Sequence, residues 1–426
     1  MKKSLFFLLL IFFCIQNATF CSDEVNLEFN DNFQKLSYNL TKYKGDKAEL
    51  QKPIENTELI AEIENNIQNT DNISTPLTLQ SGILNSIKKT ADSVYNLQVS
   101  NLEAVSPLLT EQMTAHFENG PIESLHTWAA FQNNFDIMMA EGNDNSYAKY
   151  DLNLVNVLFD AKSRSEQDAF RIMLSPTHQH ARPFMQQLFQ DVYYETKRIP
   201  HHSILIGNSR VGTGLEGVQS SYTLPFLNRA QISRNLSNIR KVGMRVRGNF
   251  KYADYDIGTY SSDTYFSEFI PGAEFNSWIN LKPLADFSNK YGKLTAGSGF
   301  SAGKRHATDY FVYGAGLQYN YKRLWTRAEY ALSDGSNGAS GLTSKRRQGW
   351  YVTLGYRLTK KAEWLVRYDE FDPDKSIGGN NRREYTTGIN YYLKGQALKF
   401  VLNYIYCQNE SANNSHRILI GAQLAL

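Results

Sequence analysis

The chain is 426 residues long, with 45 Lys and Arg against 42 Asp and Glu, a net charge of +3 and 42% hydrophobic residues. That near-balance carries no whole-chain signal for nucleic acid, and Cys14, Cys21 and Cys407 are too few and too scattered for a disulfide framework or a zinc site. The 26 Tyr and 24 Phe are more than so polar a chain buries in one oily core, and they point to amphipathic rings at boundaries.

The first residues read as an export signal. Met1-Lys2-Lys3 is a basic start, and Leu5 to Ile15 is an apolar stretch of signal-peptide length, with Thr19 and Cys21 as the small residues before a cleavage site. At about eleven residues it falls short of the roughly 20 needed to cross a bilayer as a helix. Residues 1–21 are therefore expected to be a signal peptide. Residues 22–120 are polar and Asn-rich, with Leu59, Ile60, Ile63 and Ile67 at helical spacing and a second, looser set at Leu84, Ile87, Ala91 and Val94. Between them, 69–76 has the composition of a turn or linker. A partly helical or disordered leader is expected there, on the periplasmic side.

From about Ser124 the period becomes two and stays there to the last residue. Trp350, Val352, Leu354 and Tyr356 alternate with Tyr351, Thr353 and Gly355; Trp364, Val366 and Tyr368 alternate with Leu365, Arg367 and Asp369; Phe400, Leu402 and Tyr404 alternate with Val401, Asn403 and Ile405. Each segment is about ten residues, the length of a tilted strand crossing a bilayer. Aromatics sit near both ends of one face, and the other face carries small and polar side chains, as lipid outside and water inside require. Tight connections such as 358–361 and 320–323 alternate with longer polar ones at 333–347, 370–382 and 408–416. The count comes to about 16 strands over residues 121–426. The even number returns the chain to the side from which it started. The predicted class is all-β, a transmembrane antiparallel barrel in an outer membrane.

Several of these segments resemble the phosphate-selective porin O and P family. The strongest run is Trp364-Leu-Val-Arg-Tyr-Asp-Glu-Phe-Asp-Pro-Asp374, then Glu384 to Gly395, then Leu398 to Tyr406; upstream are Asp191-Val-Tyr-Tyr-Glu195, Gly214-Leu-Glu216 and Leu224-Pro-Phe-Leu-Asn-Arg229. The resemblance spans about 184–426. It implies a homotrimer of 16-stranded barrels, each narrowed by a loop folded inward, with a preference for small anionic solutes, phosphate among them. It departs from the family at its last residue, Leu426 where Phe is usual, and in offering no ladder of unopposed arginines.

The stretch from Gly212 to Arg240 is too long to be a mere connection. Arg210, Arg229, Arg245 and Arg247 are the candidate pore and constriction residues, with Arg234 and Arg240 nearby. Arg245 and Arg247 alternate with Val242, Met244 and Val246, which places both in the lumen, since a charge facing lipid costs a few kcal/mol at mid-depth. Cross-strand pairing with Asp254 and Asp256 is the simpler expectation for them, and Arg327 with Glu329 and Arg367 with Glu363 and Asp369 read the same way. Gly212 to Gly217 matches GxGxxG, but no helix follows, so no dinucleotide site is expected. His178, His180, His201 and His202 fall at opposite ends of one strand, which argues against a metal site. No cofactor and no enzymatic activity are expected, since the nucleophile-elbow pattern is absent. Gly303-Lys-Arg-His306 and Ser344-Lys-Arg-Arg347 are expected in outer loops, within reach of lipopolysaccharide phosphates. The expected function is passive diffusion of small hydrophilic solutes. A general porin with little ion preference is the nearer alternative, and a barrel anchor or receptor whose leader binds cell wall or a partner protein is the more distant one.

Overall fold

The computed structural model describes residues 105–142, 146–177, 188–263, 268 and 271–426. The segment expected to be a signal peptide and most of the expected leader lie outside them, as do His178 and His180. The described chain forms a closed barrel of sixteen antiparallel strands: β2 (Ile122–Ala140), β3 (Tyr147–Ser163), β4 (Asp168–Leu174), β5 (Phe189–Thr196), β6 (His202–Arg210), β7 (Arg240–Asn249), β8 (Ala253–Ser261), β9 (Ala273–Leu281), β10 (Lys293–Arg305), β11 (Thr308–Tyr321), β12 (Leu324–Gly338), β13 (Gly341–Arg357), β14 (Ala362–Asp372), β15 (Arg382–Lys394), β16 (Leu398–Asn409) and β17 (Ser415–Ala425). Every strand pairs with its sequence neighbour, and β17 closes on β2 through Ala425↔Ala130 to Ser415↔Ala140. Closure leaves no unpaired edge, the condition for a sheet to sit in hydrocarbon.

The alternation seen in the sequence becomes an inside and an outside of inverted polarity. Ile389, Leu402, Phe400, Ile420, Phe275 and Met244 point outward and are exposed, while Asn390, Asn403, Gln423, Glu274, Asn276 and Lys241 point inward and are buried. In water this arrangement would waste the hydrophobic effect; in a bilayer it is the stable one. At one end of the outer surface a row of rings crosses neighbouring strands: Trp350 to Tyr368 at 5.0 Å, Tyr368 to Tyr385 at 5.2 Å, Tyr385 to Tyr406 at 6.1 Å and Tyr406 to His416 at 5.0 Å. Six residues along β13, β15 and β16 stand Tyr356, Tyr391 and Phe400, and four along β14 stands Trp364, paired as Tyr356↔Trp364 and Tyr391↔Phe400. Six residues of strand span about 20 Å along the strand, and with the roughly 40° tilt of such barrels the two rows stand about 15 Å apart along the membrane normal, within the roughly 25 Å apolar band.

Connections at the end holding the start of β2 and the end of β17 are mostly tight, as at 322–323, 358–361 and 395–397. At 282–292 a short helix, α2 (Ser288–Tyr291), intervenes. The longest connections lie at the other end, with one difference from expectation. Residues 333–347 are almost entirely strand, since β12 and β13 run on as a hairpin to Gly338↔Gly341. The basic run at 345–347 therefore lies on strand, and Lys345 and Arg346 meet Asp374 at 3.3 Å and Asp334 at 3.6 Å. Lys304 and Arg305 likewise end β10, with Asp309 at 3.5 Å and Asp263 at 3.4 Å. Opposite charges across a ladder favour this extension over free loops.

The boundary between leader and barrel also moves. A short strand, β1 (Thr114–His116), pairs with the start of β2 through Thr114↔His126 to His116↔Ser124. The Leu108 amide donates to the Ala425 carbonyl at 3.1 Å. Residues 105–120, placed by sequence in the leader, belong structurally to the barrel end. Three residues of strand are too few to show a period, which is why the sequence concealed them.

Candidate functional site

Between β6 and β7, residues 211–239 fold into the lumen instead of outward. The neck is closed by the Val211 amide on the Ile239 carbonyl at 2.9 Å. Gly212 and Gly214 let the chain pass close to the wall: a Cβ on Gly212 would strike the Asp256 carboxylate, and Gly214 combines φ +80° with contact on Glu329. The sequence match to a nucleotide loop is thus a pair of close approaches. Next, Glu329 of β12 takes the Leu215 amide at 3.0 Å and the Glu216 amide at 3.2 Å, and also the Tyr351 hydroxyl at 2.9 Å.

The middle of the loop includes a single 3-10 turn, η1 (Ser221–Thr223), followed by extended chain. Its backbone is read by wall side chains. Lys399 Nζ donates to the carbonyls of Tyr222 at 3.2 Å and Leu224 at 3.0 Å. Gln423 Nε2 donates to Tyr222 O at 2.9 Å, and Asn390 Nδ2 donates to Pro225 O at 2.8 Å. The Leu227 amide donates to Asn403 Oδ1 at 3.0 Å. A buried ammonium without a carboxylate is costly unless its protons are taken, and these two carbonyls accept two of the three.

The loop ends in α1 (Gln231–Leu236), whose Gln231 amide donates to Asp369 Oδ2 at 2.7 Å. Ala230, Ile232 and Leu236 pack on Val312, Ala331, Tyr351 and Phe371 of the wall. The inner faces of β12–β17 and β2 are therefore covered, and inward apolar residues such as Leu365, Val401 and Ile405, each at most 3% exposed, belong to a packed core inside the barrel.

The candidate arginines separate into two pairs. Arg229 is 5% exposed and donates to Gln219 O at 2.6 Å, Ser221 Oγ at 3.3 Å and the Glu216 carbonyl. Burial pushes its guanidinium down to about 10, partly offset by Glu216, which leaves it protonated at neutral pH. Arg210 bonds Asn238 and the Gly217 carbonyl. Both staple the loop to itself and to its neck.

Arg245 and Arg247 instead line an open recess of about 950 Å³ on the uncovered side of the lumen, at the tight-turn end. Its wall comes from β5–β11, with Gly212, Gly214, Leu215 and Val218 of the loop as its inner limit. Arg245 Nε pairs with Asp256 at 2.7 Å, as the sequence suggested. Arg247 does not use Asp254 or Asp256. It lies opposite Ser203 in register and reaches Glu195 at 2.5 Å, one strand further on, while Asp254 binds Lys282 at 2.8 Å. A long guanidinium reaches diagonal partners as readily as direct ones. Lys197 also lines the recess, exposed, and forms no ion pair among the described residues. Four cations thus face three carboxylates.

Of the other expected pairs, Arg367 with Asp369 forms, while Arg327 with Glu329 and Arg367 with Glu363 do not. Arg327 donates to Gln318 at 3.0 Å and to Gln219 of the loop at 2.8 Å, not to Glu329. Arg367 stands 3.6 Å from Glu216 and 3.9 Å from Asp369, and Glu363 turns to Arg357 at 3.5 Å. Loop side chains, invisible to strand-by-strand reading, supply two of the new partners, Gln219 and Glu216, and the strand residues Gln318 and Arg357 supply the others. His202 holds the Pro200 carbonyl at 2.7 Å and packs on Phe250 and Tyr255. Among the described residues no group of acidic, His or Cys side chains is arranged to hold a metal.

Solved structures share this barrel. The outer-membrane channel DcaP of Acinetobacter baumannii is 10% identical, with a TM-score of 0.53 over 73% of this chain and all of that one. Salmonella typhi OmpF in complex with daunomycin is 12% identical, with a TM-score of 0.53 over 74% and 100%. A trimer form of Vibrio cholerae OmpT is 11% identical, with a TM-score of 0.50 over 71% and 99%. At such identities the likeness is one of fold. No curated protein matches the chain. The family match starts later than the resemblance read from about 184: over residues 262–426 the chain matches the family described as phosphate-selective porin O and P.

Proposed function

We propose that the protein is an outer-membrane porin through which small hydrophilic solutes diffuse passively. The observation that carries this reading is the inverted barrel with its longest loop folded inside, one side of the lumen packed and the other open and lined by charge. Such a lumen needs no moving part: water fills it, the loop limits the size of what passes, and wall charges set the preference. The tight-turn end faces the periplasm, where the leader also lies, and the long connections face outward. Like the OmpT form named above, the protein assembles as a homotrimer, seated among outer-membrane lipid and lipopolysaccharide.

The preference is for anions and is slight. Three of the four cations in the recess are held by carboxylates, which cancel most of their field, so the surplus rests on Lys197. Arg245 and Arg247 then shape the opening more than they bind solute, and a dedicated phosphate site in this recess is not supported. In a planar bilayer under a KCl gradient, the reversal potential is expected to have the sign of weak chloride preference. Lys197→Glu should turn it to the cation sign. A strong cation preference in the unaltered protein would refute the charge assignment.

A further inference from the structure

At the long-loop end of the lumen lies a second recess, about 460 Å³, between α1 and the wall strands β15–β17. Register explains its lining. Arg382 and Glu384 are on the inward face of β15, opposite Asn409 and Cys407 of β16, and Ser415 of β17 stands beside Cys407. From the other side α1 contributes Gln231 and Arg234. Gln231 Nε2 donates to the Arg382 carbonyl at 3.1 Å, which ties the helix to this edge of the recess.

The charges are unequal. Arg234 binds Glu384 at 2.6 Å, and its Nε has no partner. Arg383 points outward and is held by Glu370 at 3.5 Å and Glu410 at 3.0 Å. Arg382 is exposed and forms no ion pair among the described residues. One guanidinium fork is thus free beside a second that is half committed, in a concavity that also holds Arg383, Glu384, Cys407 and Ala412 and is otherwise lined by amides and hydroxyls. A planar fork of this kind suits an oxyanion bound through two parallel hydrogen bonds.

We propose that this recess holds the carboxylate or phosphate group of a small hydroxylated solute on Arg382, with Arg234 as the second cation and the Asn and Ser side chains taking its hydroxyls. The site rests on the porin reading in one respect: it opens at the long-loop end, the end from which that reading has solutes enter. It differs from the turn-end recess in that its unpaired cation is a planar guanidinium, Arg382, and not an ammonium, Lys197.

The test is calorimetric titration of the full-length protein in detergent with glucuronate, glucose 6-phosphate and glucose. At least one of the two anions should bind, and glucose should not; which anion binds separates the carboxylate source from the phosphate source. Arg382→Gln should weaken binding about tenfold or more, the loss of a charge-assisted contact. Glu384→Gln should tighten it by releasing Arg234. Equal affinity in Arg382→Gln, or equal binding of glucose, would overturn the site. Anion binding without conductance would sink the porin reading and leave the site standing. Conductance without Arg382-dependent binding would sink the site alone.

Discussion

A protein lacking residues 213–237, with the neck bridged by a short Gly-Ser segment, is expected to form pores about twice as conductive or more. The loop covers the inner faces of seven of the sixteen strands, through contacts with Glu329, Tyr351, Asp369, Asn390, Lys399, Gln423 and the Ala130 carbonyl. Removing it opens that side of the lumen to water. The barrel should still assemble, because strand pairing and closure do not involve the loop. Stability should nevertheless fall, since Tyr351, Leu365, Phe371 and Ile405 lose the cover that keeps each at most 2% exposed. Single-channel recording decides the first point and thermal unfolding the second. Unchanged conductance would mean that the loop does not limit the path.

Glu329→Ala is expected to loosen the loop without removing it. The carboxylate takes two loop amides and the Tyr351 hydroxyl in a buried place. Hydrogen bonds to a charged group are worth about 1.5–3 kcal/mol each, and they do not add. With water able to enter and satisfy part of what is left, a net loss of about 2–3 kcal/mol in docking is a reasonable magnitude. That raises the undocked population by about 30- to 150-fold. The readouts are faster proteolysis within 213–237 and more current flicker, with global unfolding little changed because the strand ladder is intact. Glu329→Gln, which keeps one acceptor, should fall between. Identical cleavage rates in all three proteins would show that Glu329 does not hold the loop.

The barrel was legible because strand period, aromatic placement and connection length all follow from one constraint, lipid outside and water inside. Trp350, Tyr385 and Tyr391 carry it visibly, and the sixteen strands follow from their spacing. The loop was legible as a loop, by length alone. What it touches was not, since Lys399, Asn390 and Gln423 look like any inward polar residue until the loop backbone arrives to use them. For the same reason Leu365, Val401 and Ile405 break the polar rule of the inner face without any local sign of why. Arg229 and Arg210 illustrate the converse. A cluster of arginines in a long loop suggested a constriction, yet a loop buried in a lumen has carbonyls of its own to satisfy, and these two residues bond them. Arg382 drew no notice in sequence because it sits at a strand end within a run of charge, and only register puts it beside Arg234.

The central claim is that the path runs along β5–β11 and not beneath the loop. It is tested most directly by single cysteines in a Cys407→Ser background, each treated with a charged thiol reagent during current recording. Ser203→Cys and Thr295→Cys, both facing the open recess, should react quickly and cut the current. Asn403→Cys, fully buried beneath the loop, should leave it unchanged. Block through position 403 with none through 203 or 295 would contradict the account.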